Sequence, residues 1–252
     1  MASNPPSQCC TVGVKHGGEP LGKLVKVARK WDAYLATPHP GSAHEGAGIL
    51  FCPDAMGIWQ NSKLMADQFA ASGYLCLVID LYNGDPLALN KPAGFDFAAW
   101  MHEGSDGNNP HTTEAIDPIV VAAVEAMRRE YGITKLGAVG YCFGAKYAVR
   151  HYKSGIQVGF IAHPTFVSEE ELGEISGPLS IAAAETDEVF PAPLRHKSEE
   201  ILQGTGHPYQ VNLYSGVAHG YAVRGSPEIK VERFAKENAF AQAVTWFNEW
   251  LL

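Results

Sequence analysis

The chain has 252 residues, of which 46% are hydrophobic and 18% charged, and its formal net charge is −8 at pH 7. This composition is typical of a soluble globular protein that can bury a large core without disulfides. The acidic balance and the lack of any basic run disfavour binding to nucleic acid or to an anionic membrane surface.

The N-terminal sequence MASNPPSQCCTVG has neither a basic stretch nor an apolar stretch, so it predicts no secretory signal, and no apolar run is long enough for a transmembrane helix. The five cysteines lack the spacing of a disulfide framework, which favours a reducing, cytoplasmic location. Cys9 and Cys10 lack the CxxC or histidine-partner spacing of a metal site. We therefore interpret this pair as part of an unremarkable N-terminal segment.

Apolar runs with β character alternate with longer helix-like stretches along the chain. Two short runs, at 24–27 and 32–36, precede any helix and predict an antiparallel edge. Further strands are predicted, in chain order, at 47–52, 74–79, 135–139, 158–162, 179–184 and 209–214. Helices are predicted at 62–72, 113–131, 143–153, 193–204 and 231–252.

This alternation predicts a single α/β domain over residues 1–252, with a mostly parallel sheet and helices on both faces. Residues 1–20 precede the first strand and are a candidate for a loosely ordered segment. The longest irregular stretch, 82–109, is rich in Gly, Pro, Asn and Asp. A segment of that length in a compact domain is typical of a lid or a pocket wall.

The most informative short sequence is Gly140-Tyr141-Cys142-Phe143-Gly144, between a predicted strand and a predicted helix. A small-x-nucleophile-x-small pattern there is typical of a nucleophile elbow, a sharp turn that places the central side chain above the carboxyl edge of the sheet. The N-terminus of the following helix would also lower the pKa of a thiol. The alternative interpretation is a tight turn that buries an unreactive cysteine.

An acid and a base follow the elbow in the order that this architecture requires. Asp187 lies in the loop after the predicted strand 179–184. His219 lies in a glycine-containing loop after the predicted strand 209–214. Because parallel strands end at one edge of the sheet, we expect both side chains to lie near Cys142.

These motifs resemble those of the dienelactone hydrolase family, a cysteine-nucleophile branch of the α/β-hydrolases. The resemblance runs from about residue 24 to residue 252 and includes the elbow, the Asp187-x-x-x-Pro191 pattern and His219-Gly220-Tyr221. It implies the α/β-hydrolase fold and a hydrolase of lactones or small esters that uses no cofactor and no metal.

The resemblance also implies roles for individual residues. Cys142 would be the nucleophile, His219 the general base and Asp187 its orienting acid, with the backbone N–H groups of Ala55 and Phe143 as the oxyanion hole. Asp54 stands where the family usually has a glutamate that pairs with the resting thiol.

The chain departs from the family where bacterial members hold the substrate carboxylate with two arginines. No arginine occurs near 80–84, and at the second place only Arg224 is available. A less charged, aromatic or larger ester or lactone is therefore expected. The residues that could contact it, from their positions after strands or in the long loop, are Trp59, Tyr82, Trp100, His163, Tyr221 and Arg224.

Two other readings remain open from the sequence. The same site could catalyse a biosynthetic cyclisation or acyl transfer, or the fold could serve a non-catalytic receptor for a small molecule. A metalloenzyme is disfavoured because no HExxH or clustered His/Asp spacing occurs. The expected oligomeric state is a monomer or a homodimer.

Overall fold

Eight strands form one sheet in the computed structural model, which describes residues 1–252. In chain order they are β1 (Lys23–Val27), β2 (Trp31–Ala36), β3 (Ala47–Cys52), β4 (Leu75–Ile79), β5 (Lys135–Tyr141), β6 (Val158–Ala162), β7 (Leu179–Thr186) and β8 (Tyr209–Ala218). Their order in space is β1-β2-β4-β3-β5-β6-β7-β8, with β1 and β2 antiparallel at one edge and the rest parallel. The eight predicted strands, the antiparallel edge and the α/β fold class are confirmed.

Eight α-helices pack around this sheet, and none of them is long and apolar enough to cross a bilayer. They are α1 (Gln60–Ala71), α2 (Phe97–Glu103), α3 (Thr113–Arg129), α4 (Gly144–Arg150), α5 (Glu169–Gly173), α6 (Ala192–Thr205), α7 (Tyr221–Arg224) and α8 (Lys230–Trp250). Three of these helices, α2, α5 and α7, are not predicted from the sequence; they have seven, five and four residues. Elements of one or two turns are too short to show a helical repeat of apolar residues.

The central strand β3 shows how the core is divided. All six of its residues are buried, which explains its continuous apolar sequence. Ile49 and Phe51 point to the layer under α1 and α8, whereas Leu50 and Cys52 point to the layer under α3 and α4. The sheet is therefore covered on both faces, as the sequence predicts.

The longest helix on the second face, α3, follows directly from its sequence. Ile116, Val120, Ala123 and Met127 recur at helical spacing and are all buried. Two arginines in the last turn stabilise the helix, because their positive charges lie at the negative end of the helix dipole. One apolar stripe thus fixes α3 against the sheet.

The N-terminal segment, residues 1–20, crosses the carboxyl edge of the sheet rather than lying loose. Its backbone donates hydrogen bonds to the carbonyl groups of Val167, Val189 and Arg224, at 2.9, 2.8 and 3.0 Å. These three residues follow β6, β7 and β8, and the segment buries Cys10 completely. A short 3₁₀ helix, Gln8–Thr11, thereby comes to lie at the edge where Cys142 is found.

Candidate active site

Cys142 directly follows β5 and has a φ of 52°, a conformation that costs energy for a residue other than glycine. The flanking glycines make the turn possible. A Cβ at Gly140 would stand 2.6 Å from the Cα of Ala145, and a Cβ at Gly144 would overlap the carbonyl group of Cys52. The turn thus has the strand–elbow–helix geometry that the sequence predicts.

Gly144→Ala is expected to destabilise the fold by about 1–3 kcal/mol or more, because a backbone carbonyl cannot rotate away from the new methyl group. Denaturant unfolding followed by circular dichroism measures this change. Gly204→Ala is the matched control, since a Cβ there meets nothing within 4 Å. The control should be neutral or more stable by up to about 1 kcal/mol. Equal stability of the two variants would contradict the steric argument.

The pairing of the last two strands brings the acid and the base together. Thr186 at the end of β7 is paired with Ala218 at the end of β8, so Asp187 and His219 follow side by side. The His219 Nδ1 atom lies 2.9 Å from an Asp187 carboxylate oxygen, and the His219 Nε2 atom lies 3.2 Å from the Cys142 sulfur. Three residues distant in the chain therefore form one connected row.

The carboxylate of Asp187 is held in place by the backbone that follows it. Its Oδ1 atom accepts hydrogen bonds from the N–H groups of Val189 and Phe190, at 2.8 and 2.9 Å. Because a carboxylate can only accept, the His219 Nδ1–H must donate to it, which leaves Nε2 to exchange a proton with the Cys142 sulfur.

The charges in this row favour an ion pair between Cys142 and His219. Burial raises the pKa of the Cys142 thiol, but a hydrogen bond from Cys10 and the positive charge of His219 outweigh it and hold that pKa well below 9. Burial lowers the pKa of His219, but the Cys142 thiolate and Asp187 raise it to about 10. The resting site is therefore a thiolate beside an imidazolium.

This ion pair has a measurable pH dependence. It forms once the Cys142 thiol has lost its proton and disappears as pH rises through the pKa of His219, about 10. Alkylation of Cys142 by iodoacetamide is therefore expected to fall much less steeply below about pH 8.5 than that of an ordinary thiol, which slows about tenfold per unit there. Peptide mapping separates Cys142 from Cys9, whose pKa a hydrogen bond from Cys10 lowers to about 6. A tenfold decrease per unit at Cys142 would contradict the ion pair.

Two backbone N–H groups in the loops that follow β5 and β3 have no acceptor within the protein. They belong to Phe143, the residue after Cys142, and to Ala55, in the loop after β3. Both residues are buried, and buried donors without a partner are unusual. The two N–H groups named by the resemblance are thus free to receive a ligand oxygen.

Asp54 does not contact the thiol as the resemblance implies. Its carboxylate forms a fully buried ion pair with Arg224 and accepts a hydrogen bond from the backbone of Met56 at 3.2 Å. Tyr82 donates to the Asp54 carbonyl at 3.0 Å. Asp54 therefore fixes the loop that carries Ala55.

Arg224 is also placed differently from the prediction that it contacts substrate. Only 1% of it is exposed, and two further N–H groups donate to the carbonyl groups of Val12 and Cys9. A buried guanidinium needs such partners for each donor. Arg224 thus ties the N-terminal segment to the loop after β3, and its charge is already paired with Asp54.

The predicted pocket residues occupy two groups. Tyr82 and Trp100 pack against the Phe143 ring, with centroids 5.5 and 6.1 Å away, and so lie beside the elbow. The ring centroids of Tyr221 and His163 are 5.8 Å apart. Trp59 packs against both core layers.

His163 lies closer to the catalytic row than the sequence indicates. Its ring centroid is 5.0 Å from that of His219, and neither of its ring nitrogens has a hydrogen-bond partner. Burial, together with the positive charges of His219 and Arg224, holds the pKa of His163 well below its usual value. His163 is thus a neutral, unpaired imidazole at the site.

Cys10 and Thr165 are site residues that sequence reasoning missed. The Thr165 hydroxyl donates to the Cys142 sulfur at 3.4 Å, and the Cys10 sulfur lies 3.6 Å from the His219 Nε2 atom. The sequence predicts only an unremarkable segment around Cys10, because nothing local in it connects residue 10 to residue 219. Together these contacts leave the Cys142 sulfur fully shielded from solvent.

Comparison with known proteins places this geometry in a family. The model of the dienelactone hydrolase family matches residues 31–251. The chain belongs to this family. It is 47% identical to the hydrolase tropI of Talaromyces stipitatus over 100% of this chain and 99% of that protein. It is 34% identical to dienlactone hydrolase 1 of Gibberella moniliformis, covering 100% and 96% of the two chains.

Solved structures confirm the fold. The dienelactone hydrolase of Anabaena variabilis superposes with a TM-score of 0.66 at 15% identity, over 94% of this chain and 100% of that one. The predicted family, the α/β-hydrolase fold and the enzyme class, a hydrolase of ester bonds, are therefore confirmed.

Proposed function

We propose that the chain hydrolyses an uncharged ester or lactone through a thioester on Cys142, with His219 as general base and Asp187 as its orienting acid. The observation that carries this proposal is the continuous row of contacts, 2.9 Å from Asp187 to His219 and 3.2 Å from His219 to the sulfur. These are hydrogen-bonding distances between the groups that acyl transfer requires.

In the first half of the reaction the thiolate attacks the carbonyl carbon and a C–S bond forms. The carbonyl oxygen becomes an oxyanion that accepts hydrogen bonds from the N–H groups of Ala55 and Phe143. The imidazolium of His219 then gives its Nε2 proton to the leaving alkoxide as the C–O bond breaks. A lactone keeps both products in one molecule; an ester releases an alcohol.

In the second half neutral His219 removes a proton from water, and the resulting hydroxide attacks the thioester. The C–S bond breaks, the acid leaves, and the proton on Nε2 restores the ion pair with Cys142. Asp187 keeps the imidazole in one tautomer through both halves. Asp54 acts indirectly, because it fixes the loop whose N–H group at Ala55 contacts the oxyanion.

The preference for an uncharged substrate follows from Arg224. The guanidinium is paired with Asp54 and buried, so no cation remains to bind a substrate carboxylate. A carboxylate placed there without a partner would carry a desolvation cost of several kcal/mol. The aromatic rings of Tyr82, Trp100 and Phe143 offer apolar contacts instead.

The direct test is to trap the acyl intermediate. On mixing with p-nitrophenyl acetate, we expect a burst of nitrophenol equal to the enzyme concentration, and mass spectrometry of the quenched protein should find one acetyl group on Cys142. A neutral aryl lactone should have a higher kcat/KM than the same lactone bearing a carboxylate. No release of nitrophenol above the enzyme-free rate, with Cys142 unmodified, would favour the receptor reading. Acetyl transfer to an added alcohol faster than to water would favour the acyl-transfer reading.

A further inference from the structure

Three sulfur atoms and one imidazole nitrogen meet where the N-terminal segment covers the active site. The donor atoms of Cys9, Cys10 and His219 all lie within 4.8 Å of one another. The Cys142 sulfur lies 3.2 Å from the same nitrogen and is the candidate for a fourth donor. The hydrolytic reaction makes and breaks bonds at only two of these four atoms, and neither Cys9 nor Cys10 exchanges a bond or a proton in it.

We propose that Cys9, Cys10, His219 and Cys142 form a binding site for a zinc-like cation, which would lock the N-terminal segment over the active site and inhibit the enzyme. The site does not depend on the proposed hydrolysis, because the same atoms would bind the cation whatever reaction the enzyme performs.

The distances agree with tetrahedral coordination. A zinc ion about 2.3 Å from each sulfur and about 2.0 Å from nitrogen places sulfur and nitrogen about 3.6 Å apart. The Cys10 sulfur is 3.6 Å and the Cys142 sulfur 3.2 Å from the His219 Nε2 atom. Two edges of the tetrahedron are therefore nearly formed. The Cys9 sulfur lies within 4.8 Å of the Cys10 and His219 donor atoms, and a small movement of this half-buried side chain would complete the site.

The nitrogen is also oriented as a metal ligand. The Nδ1–H of His219 donates to Asp187 at 2.9 Å, and a carboxylate on the far nitrogen is the usual support of a zinc-binding histidine. Nε2 thus presents its lone pair to the sulfurs once its proton has left. Cation binding would release that proton and the thiol protons to solvent.

The type of donor selects the cation. Thiolate and imidazole favour zinc, cobalt and copper, whereas calcium and magnesium need oxygen ligands. The three coordinating cysteines come from two parts of the chain: Cys9 and Cys10 from the N-terminal segment, Cys142 from the elbow. A bound ion would therefore cross-link the segment to the core, and it would occupy the nitrogen that catalysis needs.

Cobalt reports binding without any assay of activity. The full chain, reduced with a phosphine and shown to have five free thiols, is titrated with cobalt(II). We expect a thiolate-to-cobalt charge-transfer band and the intense visible bands of tetrahedral cobalt, both saturating at one equivalent and both displaced by zinc. Calcium and magnesium should produce neither change.

Variants separate this site from other thiols. Cys9→Ala/Cys10→Ala should bind cobalt at least about 100-fold more weakly, since loss of outer-shell support alone costs 10–100-fold. Cys52→Ala/Cys76→Ala removes two buried thiols of the core strands and should bind as the unaltered chain does. If the double variant fails to fold, Cys9→Ser is the replacement, because Cys9 is half-buried and tolerates the change. This single variant should also bind cobalt more weakly.

The proposal is overturned if the reduced chain gives no charge-transfer band, or if the band persists in Cys9→Ala/Cys10→Ala. Zinc should also inhibit ester hydrolysis by the unaltered chain at about one equivalent, with recovery on adding a chelator. Failure of hydrolysis itself would leave the cobalt spectrum unchanged, so the two proposals fail separately.

Discussion

Cys142→Ala is expected to lower kcat/KM for ester hydrolysis by at least about 10⁴-fold, because no other group at the elbow can form the acyl intermediate. The free energy of unfolding should change by only about 1 kcal/mol, since the substitution removes one buried sulfur atom. Steady-state assays with an aryl ester, together with denaturant unfolding, measure the two quantities on the same preparation.

His219→Ala makes this prediction sharper. The thiolate depends on the imidazolium for its charge partner and for its proton transfers, so the single variant should lose several orders of magnitude. Residues that act as one unit have non-additive effects. Cys142→Ala/His219→Ala should therefore be no slower than either single variant. Multiplied losses in the double variant would show that the two residues act independently.

Cys142→Ser tests the ion pair specifically. A hydroxyl at this position has no thiolate form near neutral pH and relies on His219 to remove its proton during attack. Its rate should be low and should rise as His219 becomes neutral. A serine variant as fast as the unaltered chain would mean that the preformed thiolate contributes little.

The row formed by Cys142, His219 and Asp187 could be predicted because each of its members follows a strand. Asp187 and His219 each come directly after an apolar run, and parallel strands end at one edge. The register of β7 against β8 then sets them side by side. Their position therefore follows from local pattern and the general geometry of α/β sheets.

Other contacts at the site have no local signal in the sequence. Asp54 and Arg224 are 170 residues apart. Only the resemblance gave a prediction for them, namely that Asp54 contacts the thiol and that Arg224 contacts the substrate. Cys10 reaches His219 across 209 residues because the N-terminal segment crosses the sheet edge. That path depends on scattered backbone hydrogen bonds, which carry no residue-type pattern.

The buried pair between Asp54 and Arg224 should dominate the stability of the site. Arg224→Met keeps the apolar stem but leaves Asp54 charged, buried and unpaired, which costs about 3–5 kcal/mol. Burial already raises the pKa of Asp54 against the effect of Arg224, so without the arginine that pKa should rise further and the carboxyl should take up a proton at a higher pH. Denaturant unfolding as a function of pH measures both changes.

A double-mutant cycle tests whether this cost belongs to the pair itself. Asp54→Asn/Arg224→Met removes both charges, so it should be more stable than the sum of the single changes predicts. The control is Lys26→Met, which breaks the ion pair between Lys26 and Asp32. Their charged atoms are 2.8 Å apart, but both side chains are more than half exposed. The loss of this pair should lower the free energy of unfolding by less than about 1 kcal/mol.

Arg224 also donates to the carbonyl groups of Val12 and Cys9, so its loss should release the N-terminal segment as well as destabilise the core. Amide hydrogen exchange in residues 9–14 is expected to rise in Arg224→Met far more than in Lys26→Met. Alkylation of Cys142 should accelerate in parallel, because the segment shields its sulfur. Unchanged exchange in these residues would mean that the segment is held by its other hydrogen bonds and that Arg224 supports only the loop after β3.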